Sequence, residues 1–154
     1  MASDDHTRGE LVRLIQLLTV EGGKVVAAFA AAHGLHHTDV EALVHVLVAE
    51  ERGEPVTPGA LGALLGVTSG AVTSVVDRLE RAGHVVRARD DADRRRVLLH
   101  HSAAGQALGV EFFGPLGRRT DAVMDGFTHA ELEVVRRFLE GTTAAMEEHR
   151  RSLG

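Results

Sequence analysis

Two short amphipathic helices joined by a tight turn occupy the middle of this chain and limit the folds that are open to it. The first begins at Thr57, a favourable N-cap with proline at the next position, and ends at Gly66 after a stripe of leucines. The second is capped by Thr68 or Ser69, carries valine and leucine at helical spacing, and stops at Gly83. The pattern predicts a helix-turn-helix.

A basic hairpin follows directly. After Gly83 the chain reads HVVRAR, DDADRR and RVLLHH, so that two strand-like segments flank a polar tip. A helix-turn-helix with an arginine-bearing hairpin behind it is an arrangement that holds duplex DNA. We therefore expect a mainly α fold with a small β-hairpin wing.

The distribution of charge agrees with that expectation, although the whole chain carries a net charge of −5. Residues 68–101 contain seven arginines and five acidic residues, a net of +2, which leaves −7 for the remainder. A basic DNA-reading part on an acidic body suits a DNA-binding protein. Aromatic residues make up only 3% of the chain, which argues against platforms that stack single-stranded bases.

Composition also bears on the chemistry and the cellular location that are expected for the protein. The chain has no cysteine, which excludes disulfides, thiolate metal sites and cysteine redox switches. The N-terminus lacks a signal-peptide pattern, and we expect no apolar run of transmembrane length. A soluble cytoplasmic protein is the expectation, with no contact with a membrane.

Longer helices are expected on both sides of the helix-turn-helix. Three stretches have the form of a capping box and predict helix starts: Thr7–Glu10, Thr38–Glu41 and Thr128–Glu131. Gly22-Gly23 should kink or split the first helix, and Gly114-Pro115 should bend or break the helix that starts near Ser102.

The second helix of a helix-turn-helix places its N-terminal end nearest the base edges in the major groove. Small or hydroxyl-bearing residues occupy that end here: Thr68, Ser69, Gly70, Ala71, Thr73 and Ser74. Such side chains suit close approach and hydrogen bonding to bases or phosphates, and Arg78 on the same broad face suits a phosphate or a guanine. The alternative is that the threonines and serines are only helix caps and solvated surface residues.

The hairpin tip offers a second contact through Arg94, Arg95 and Arg96. Neighbouring residues of an extended segment point to opposite sides, so the three arginines cannot all act in the same way. One can enter the narrow minor groove, and another can pair with Asp90, Asp91 or Asp93 to fix the turn.

The winged helix of MarR-type transcriptional regulators closely resembles the segment VTSGAVTSVVDRLERAGHVVRARDDADRRRVLLHHSAAG. The wing pattern of that family, which is Asp, any residue, Arg and an apolar strand, matches Asp93 to Leu99. The DRLERAGHV stretch is similar to the end of the family's recognition helix. The resemblance extends over nearly the whole chain, as one domain of residues 1–154.

The resemblance implies a winged helix-turn-helix at about 38–101, flanked by dimerisation helices at about 5–33 and 102–150. It implies that Asp93 braces the wing, that Arg95 enters the minor groove and that Thr68, Ser69, Thr73 and Ser74 face the major groove. It also implies a homodimer on a pseudo-palindromic operator, acting mainly as a repressor. A small ligand, entering a crevice between the dimer helices and the winged helix, would release the DNA.

The chain departs from the family in three places. Family members often carry arginine where Ser74 stands, so base preference does not transfer. His100-His101-Ser102 replaces the usual Leu-Thr at the end of the wing. The oxidant-sensing branch of the family needs an N-terminal cysteine, which this chain lacks.

Two other hypotheses remain beside the ligand-responsive regulator. The chain has ten histidines, among them the adjacent pairs His36-His37 and His100-His101, so a zinc-responsive regulator with histidine ligands is one alternative. Yet no HxxxH pair lies on one continuous helix near a carboxylate, and ordinary surface or capping histidines are the simpler interpretation. The other alternative is a winged helix that serves as a protein-interaction module. We find no arrangement of catalytic residues and expect no enzyme activity and no cofactor.

Overall fold

The computed structural model describes residues 2–153 and contains six helices and one two-stranded sheet in that range. The helices and strands are α1 (Ala2–His33), α2 (His37–Glu51), α3 (Pro58–Leu65), α4 (Ser69–Arg81), β1 (Val85–Arg89), β2 (Val97–His101), α5 (Ala103–Met124) and α6 (His129–Ser152). The chain divides into two compact units, one up to Phe112 and the other from Phe113 onward. The expectation of a mainly α fold with a β-hairpin wing is confirmed.

The core of the first unit joins the helix-turn-helix to the hairpin. Its largest fully buried side chains come from α2, α3, α4 and both strands: Val46, Leu61, Val76, Leu79, Val85 and Leu99. Because every one of these elements contributes apolar side chains to the same cluster, the position of α4 relative to the wing is set by packing.

Local capping explains why α3 and α4 begin and end where they do. The Thr57 hydroxyl accepts a hydrogen bond from the Ala60 amide at 3.2 Å, and the Thr68 hydroxyl accepts one from the Ala71 amide at 3.3 Å. Gly66 ends α3 in the left-handed conformation at φ 68°, which a side chain would strain. The chain turns by 109° between the two helices, within the range of a helix-turn-helix.

The hairpin is antiparallel, and its register pairs Val85 with His101 and Arg89 with Val97. The Leu99 amide also donates to the Val56 carbonyl at 2.8 Å, which ties β2 to the segment before α3. The wing is therefore hydrogen-bonded, through β2, to the segment that leads into the helix-turn-helix.

Two of the three expected helix starts are wrong. α1 begins at Ala2, so Thr7–Glu10 lies inside it, and it passes Gly22-Gly23 without a break. α2 is capped at His36, whose amide donates to Asp39 Oδ2 at 3.1 Å, rather than at Thr38. Two glycines cost only about 1 kcal/mol each in a helix that is already nucleated, which is too little to split it.

The third helix start is confirmed. Thr128 caps α6, and Glu131 completes a capping box. α5 runs from Ala103 to Met124 without a break at Pro115, so the cost of the missing amide is outweighed along this helix.

Long apolar stripes stay exposed on α1 and α6. No described residue of α6 is buried, and Phe138, Leu139 and Met146 are all exposed. By length and composition, Asp5–His33 of α1 is long and apolar enough to cross a membrane. This differs from the expectation that the chain has no apolar run of transmembrane length. Only 6% of the most apolar window of this helix is buried. An ion pair between Glu21 and Lys24 at 2.7 Å lies inside this stretch.

Candidate nucleic-acid interface

The N-terminal end of α4 presents small polar groups to solvent. Ser69, Gly70 and Ala71 are exposed, and so are Thr73 and Ser74 one turn later. The Thr73 hydroxyl donates to the Ser69 carbonyl at 2.8 Å, and the Ser74 hydroxyl donates to the Gly70 carbonyl at 3.1 Å. Their oxygen lone pairs remain available as acceptors. Thr68, by contrast, uses its hydroxyl as the helix cap.

Gly70 is not required by the fold. It lies in the first turn of α4 with an ordinary helical backbone, and a Cβ atom at this position would meet no protein atom within 4 Å. The space over the start of α4 is therefore open, and the backbone there is accessible to a close approach from outside the chain.

The wing tip holds its three arginines in different ways. Asp93 Oδ1 accepts from the Arg95 amide at 3.0 Å, and the Asp93 carbonyl accepts from the Arg96 amide at 2.8 Å. Arg96 Nη1 lies 3.3 Å from Asp90 Oδ2. The Arg94 and Arg95 side chains are exposed, and neither forms an ion pair with a carboxylate in the described part of the chain. The turn thus engages Arg96 and leaves two cations directed at solvent.

The structure places Arg78 in a contact that sequence reasoning missed. Its guanidinium holds the carboxylate of Asp39 at the start of α2, with Nη2 2.6 Å from Oδ1 and Nε 3.2 Å from both oxygens. The Asp39 side chain is 3% exposed and that of Arg78 is 34% exposed. The hydrogen bond to Asp39 raises the pKa of Arg78. This guanidinium is occupied in holding α4 against α2.

A second ion-pair cluster, also missed from the sequence, ties the wing to α4. Arg87 on β1 contacts Asp77 at 2.5 Å through Nη2 and Glu80 through Nη1. Hydrogen bonding to Asp77 is the main cause of the raised pKa of Arg87. The sequence does contain a signal for this cluster, because Asp77 and Glu80 are three residues apart and so lie on the same face of α4. Which arginine of the wing contacts them depends on how the hairpin packs against α4.

Glu50, near the end of α2, receives the histidine pair of the wing. Its Oε1 lies 3.0 Å from His100 Nδ1, and its Oε2 accepts from the His101 amide at 3.0 Å and lies 3.3 Å from His101 Nε2. Burial alone would raise the pKa of Glu50, but these hydrogen bonds and the imidazole charges lower it below its ordinary value. His100-His101 therefore fastens the base of the wing to α2.

The histidines do not assemble a metal site in the described range. Among the described side chains of residues 5–153, no three His, Asp or Glu side chains come together in an arrangement that could hold a metal ion. His33 contacts Glu111 at 3.4 Å, and His37 contacts Glu41 at 3.5 Å, each as an isolated pair. The zinc-responsive alternative gains nothing from this geometry.

Comparison with known proteins agrees with the architecture. Residues 33–96 match the model of the MarR family. The chain is 36% identical over 150 residues to YcgE of Bacillus subtilis (strain 168), an uncharacterized HTH-type transcriptional regulator, and the match covers 95% of each chain.

Two solved structures share the fold. A mutant of MepR from a multidrug-resistant S. aureus clinical isolate has a TM-score of 0.74 at 15% identity, over 88% of this chain and 96% of that one. Another S. aureus MepR mutant, bound to an oligodeoxyribonucleotide, has a TM-score of 0.58 at 15% identity, over 88% of this chain and 97% of that one. With a near full-length relative at 36% identity and a matching family model over the helix-turn-helix, the chain belongs to the MarR family of winged-helix transcriptional regulators.

Proposed function

We propose that this regulator binds a pseudo-palindromic operator as a homodimer, acts as a repressor, and is released by a small ligand. The observation that carries the proposal is the exposed, small-residue start of α4 on the same packed unit as two arginines without acidic partners at the wing tip, among the described residues. Each protomer would use the first surface for base edges and the second for the neighbouring minor groove.

The start of α4 suits the major groove for two reasons. Ser69, Thr73 and Ser74 are exposed hydrogen-bonding groups, and Gly70 leaves the backbone open to approach. Amide groups in the first turn of a helix also favour a phosphate oxygen. Arg78 is given a different role in this proposal, since its guanidinium holds Asp39.

The wing suits the minor groove because its free cations stand on a braced turn. Asp93 and the Arg96–Asp90 pair fix the backbone, so that Arg94 and Arg95 are presented from a defined position. A narrow minor groove concentrates negative potential, and an inserted arginine is favoured there. We assign the inserted side chain to Arg95.

Dimerisation is supported by apolar surface that the chain leaves uncovered. The exposed large apolar side chains of α1 and α6 include Leu11, Leu14, Leu17, Leu18, Val134, Val135, Phe138, Leu139 and Met146. A soluble monomer rarely exposes contiguous patches of that kind, and isologous pairing of two copies would bury them. This interpretation also accounts for the apolar character of α1 without a membrane.

The test is selection of genomic fragments with purified protein, followed by fluorescence anisotropy on the selected duplex at several salt concentrations and by sedimentation velocity. We expect a dimer and an affinity that falls steeply with salt, because phosphate contacts release counterions. Phe138→Glu should shift the protein towards monomer and weaken operator binding. A stable wild-type monomer, or retention of no duplex at low salt, would contradict the proposal and favour the interaction-module hypothesis.

A further inference from the structure

No lysine or arginine occurs on α4 between Ser69 and Asp77. One side of the helix is buried through Val72, Val75, Val76 and Leu79. Gly70, Thr73, Ser74 and Asp77 share the opposite side, because residues three and four apart lie on one face of a helix. These four residues are called the outer stripe of α4. In the proposed function, the outer stripe is the part of the protein that lies closest to the bases.

The two hydroxyl groups of the outer stripe already use their hydrogen atoms. Thr73 donates to the Ser69 carbonyl at 2.8 Å, and Ser74 donates to the Gly70 carbonyl at 3.1 Å. A hydroxyl has one hydrogen and two lone pairs, so the lone pairs remain for an outside partner. If either hydroxyl turned outward to donate, it would lose its bond to the helix backbone. Both side chains therefore keep that bond only when they meet a partner as acceptors.

The charged residues nearby do not supply donors to the outer stripe. Asp77 is a carboxylate, which only accepts, and Arg87 of β1 contacts it at 2.5 Å. Arg78 holds the Asp39 carboxylate through Nε and Nη2, and a bidentate contact with guanine would take at least one of these two nitrogens. Because the Asp39 side chain is 3% exposed, its release would leave a buried charge without its partner. Arg81 lies in the last turn of α4, beyond the outer stripe.

The four bases present different groups in the major groove. Guanine presents the acceptors O6 and N7, and thymine presents the acceptor O4 and a methyl group. Adenine presents the N6 amine and cytosine presents the N4 amine, and both amines donate. A surface that only accepts forms hydrogen bonds with these amines and places lone pairs against the keto oxygens of guanine and thymine. The outer stripe is therefore suited to distinguish amino bases from keto bases on one strand.

We propose that Thr73 and Ser74 determine the operator specificity of this regulator by accepting hydrogen bonds from adenine N6 or cytosine N4. Their role rests on the proposed function and adds to it the chemical class of base that α4 recognises. At the strand positions that the two hydroxyls contact, each half-site carries adenine or cytosine in preference to guanine or thymine. Thr68 and Ser69, beside the amides of the first turn, hold a phosphate and contribute to affinity but not to specificity.

The first test is selection from duplexes with randomised half-sites. It compares the wild type with Thr73→Val, which replaces the hydroxyl by a methyl group of similar size, and with Ser74→Ala. We expect the wild type to select adenine or cytosine at the contacted positions, and each variant to lose the preference at its own position only. Thr120→Val on α5 is the matched control, because Thr120 is exposed and its hydroxyl donates to the Leu116 carbonyl at 3.0 Å in the same way. This control should leave the selected sequence unchanged.

The second test removes the amine from the base. At each position found by selection, a purine 2′-deoxynucleoside replaces adenine, or 2-pyrimidinone replaces cytosine, and operator affinity is measured by fluorescence anisotropy. We expect a loss of about fivefold or more for the wild type, since one hydrogen bond is removed. The matching variant lacks the acceptor and should lose little further affinity, so that the two losses are not additive. Ser74→Arg adds an outward donor and should change the preference at its position to guanine.

Guanine or thymine at these positions in the wild-type selection would overturn the proposal. Equal losses from amine removal in the wild type and in the matching variant would also overturn it. The same holds for variants that weaken binding without changing any base preference, and for Ser74→Arg with an unchanged preference, because the side chains would then contact no base. Each of these results comes from a protein that binds duplex DNA, so the proposed function would stand. Retention of no duplex would contradict the proposed function itself, and the role of Thr73 and Ser74 with it.

Discussion

The carboxylate of Asp39 and the guanidinium of Arg78 form an ion pair at 2.6 Å across 39 positions of sequence. The Asp39 carboxylate is buried at the start of α2, whereas Arg78 lies on α4 with about one third of its side chain exposed. This unequal burial decides what each substitution does to the free energy of unfolding. α4 is therefore held to α2 by a contact in which the carboxylate is buried and the guanidinium is partly exposed.

Arg78→Gln should lower the free energy of unfolding by about 3–5 kcal/mol, because it leaves Asp39 buried without a counter-charge. Asp39→Asn should cost less, since the released guanidinium can be solvated. In the double variant, the loss should be smaller than the sum of the two single losses. Urea denaturation of the four proteins measures the coupling, and strictly additive losses would contradict this account.

Gly105 on α5 lies against the His84 backbone, and a Cβ atom there would overlap the His84 carbonyl oxygen. Gly105→Ala should therefore destabilise the protein by about 1–3 kcal/mol or more, because backbone has to move. Gly117→Ala on the same helix is the matched control, since a Cβ atom there meets nothing within 4 Å. That control should stabilise by up to about 1 kcal/mol. Thermal unfolding of both variants gives the comparison, and equal effects would show that the close approach is unimportant.

Glu50 should make the stability of the wing depend on pH in the acid range. Its pKa is lowered in the folded protein, so its contribution is present above the ordinary pKa and is lost as pH falls through the lowered one. Glu50→Gln should be less stable than the wild type near neutral pH, and the gap should close below pH 4.5, its ordinary value. Unfolding free energies of both proteins between pH 7 and about pH 3 test this. A gap that stays constant with pH would refute the role of the carboxylate charge.

Gly70→Leu should abolish operator binding without a loss of stability. Gly70 is exposed, and a Cβ atom there would meet no protein atom within 4 Å, so we expect a side chain at this position to obstruct an outside partner and not the fold. Gly59→Leu is the matched control, because Gly59 holds the same second helical position in α3 and is also exposed. Operator anisotropy and thermal unfolding are measured on both. An unchanged operator affinity in Gly70→Leu would show that the start of α4 does not contact DNA.

Arg95→Ala should weaken operator binding strongly and leave the fold and the dimer intact, because the side chain is exposed and pairs with no acidic residue in the described range. The backbone bond from its amide to Asp93 is retained. Arg119→Ala, an exposed arginine on α5, removes the same charge away from the wing and serves as the control. Similar losses of operator affinity in the two variants would indicate a general effect of charge and no specific contact between the wing and DNA.

The helix-turn-helix and the hairpin could be predicted because their signals are local. Thr57, Gly66 and Thr68 act through hydrogen bonds or backbone conformations within a few residues, and the structure has them as expected. The capping boxes at Thr7 and Thr38 were misleading, since the same residue pattern also occurs inside a helix that has already begun. Whether such a pattern starts a helix depends on what precedes it.

The chain by itself determined the order of its elements, the small exposed residues at the start of α4 and the arginines of the wing, because periodicity, caps and turn residues act over short distances. Only the tertiary structure decided which charges are engaged. It assigned Arg78 to Asp39, Arg87 to Asp77, and Glu50 to the histidine pair. Ion pairs between distant residues depend on how helices and strands pack, and packing is a property of the whole core that no short pattern contains.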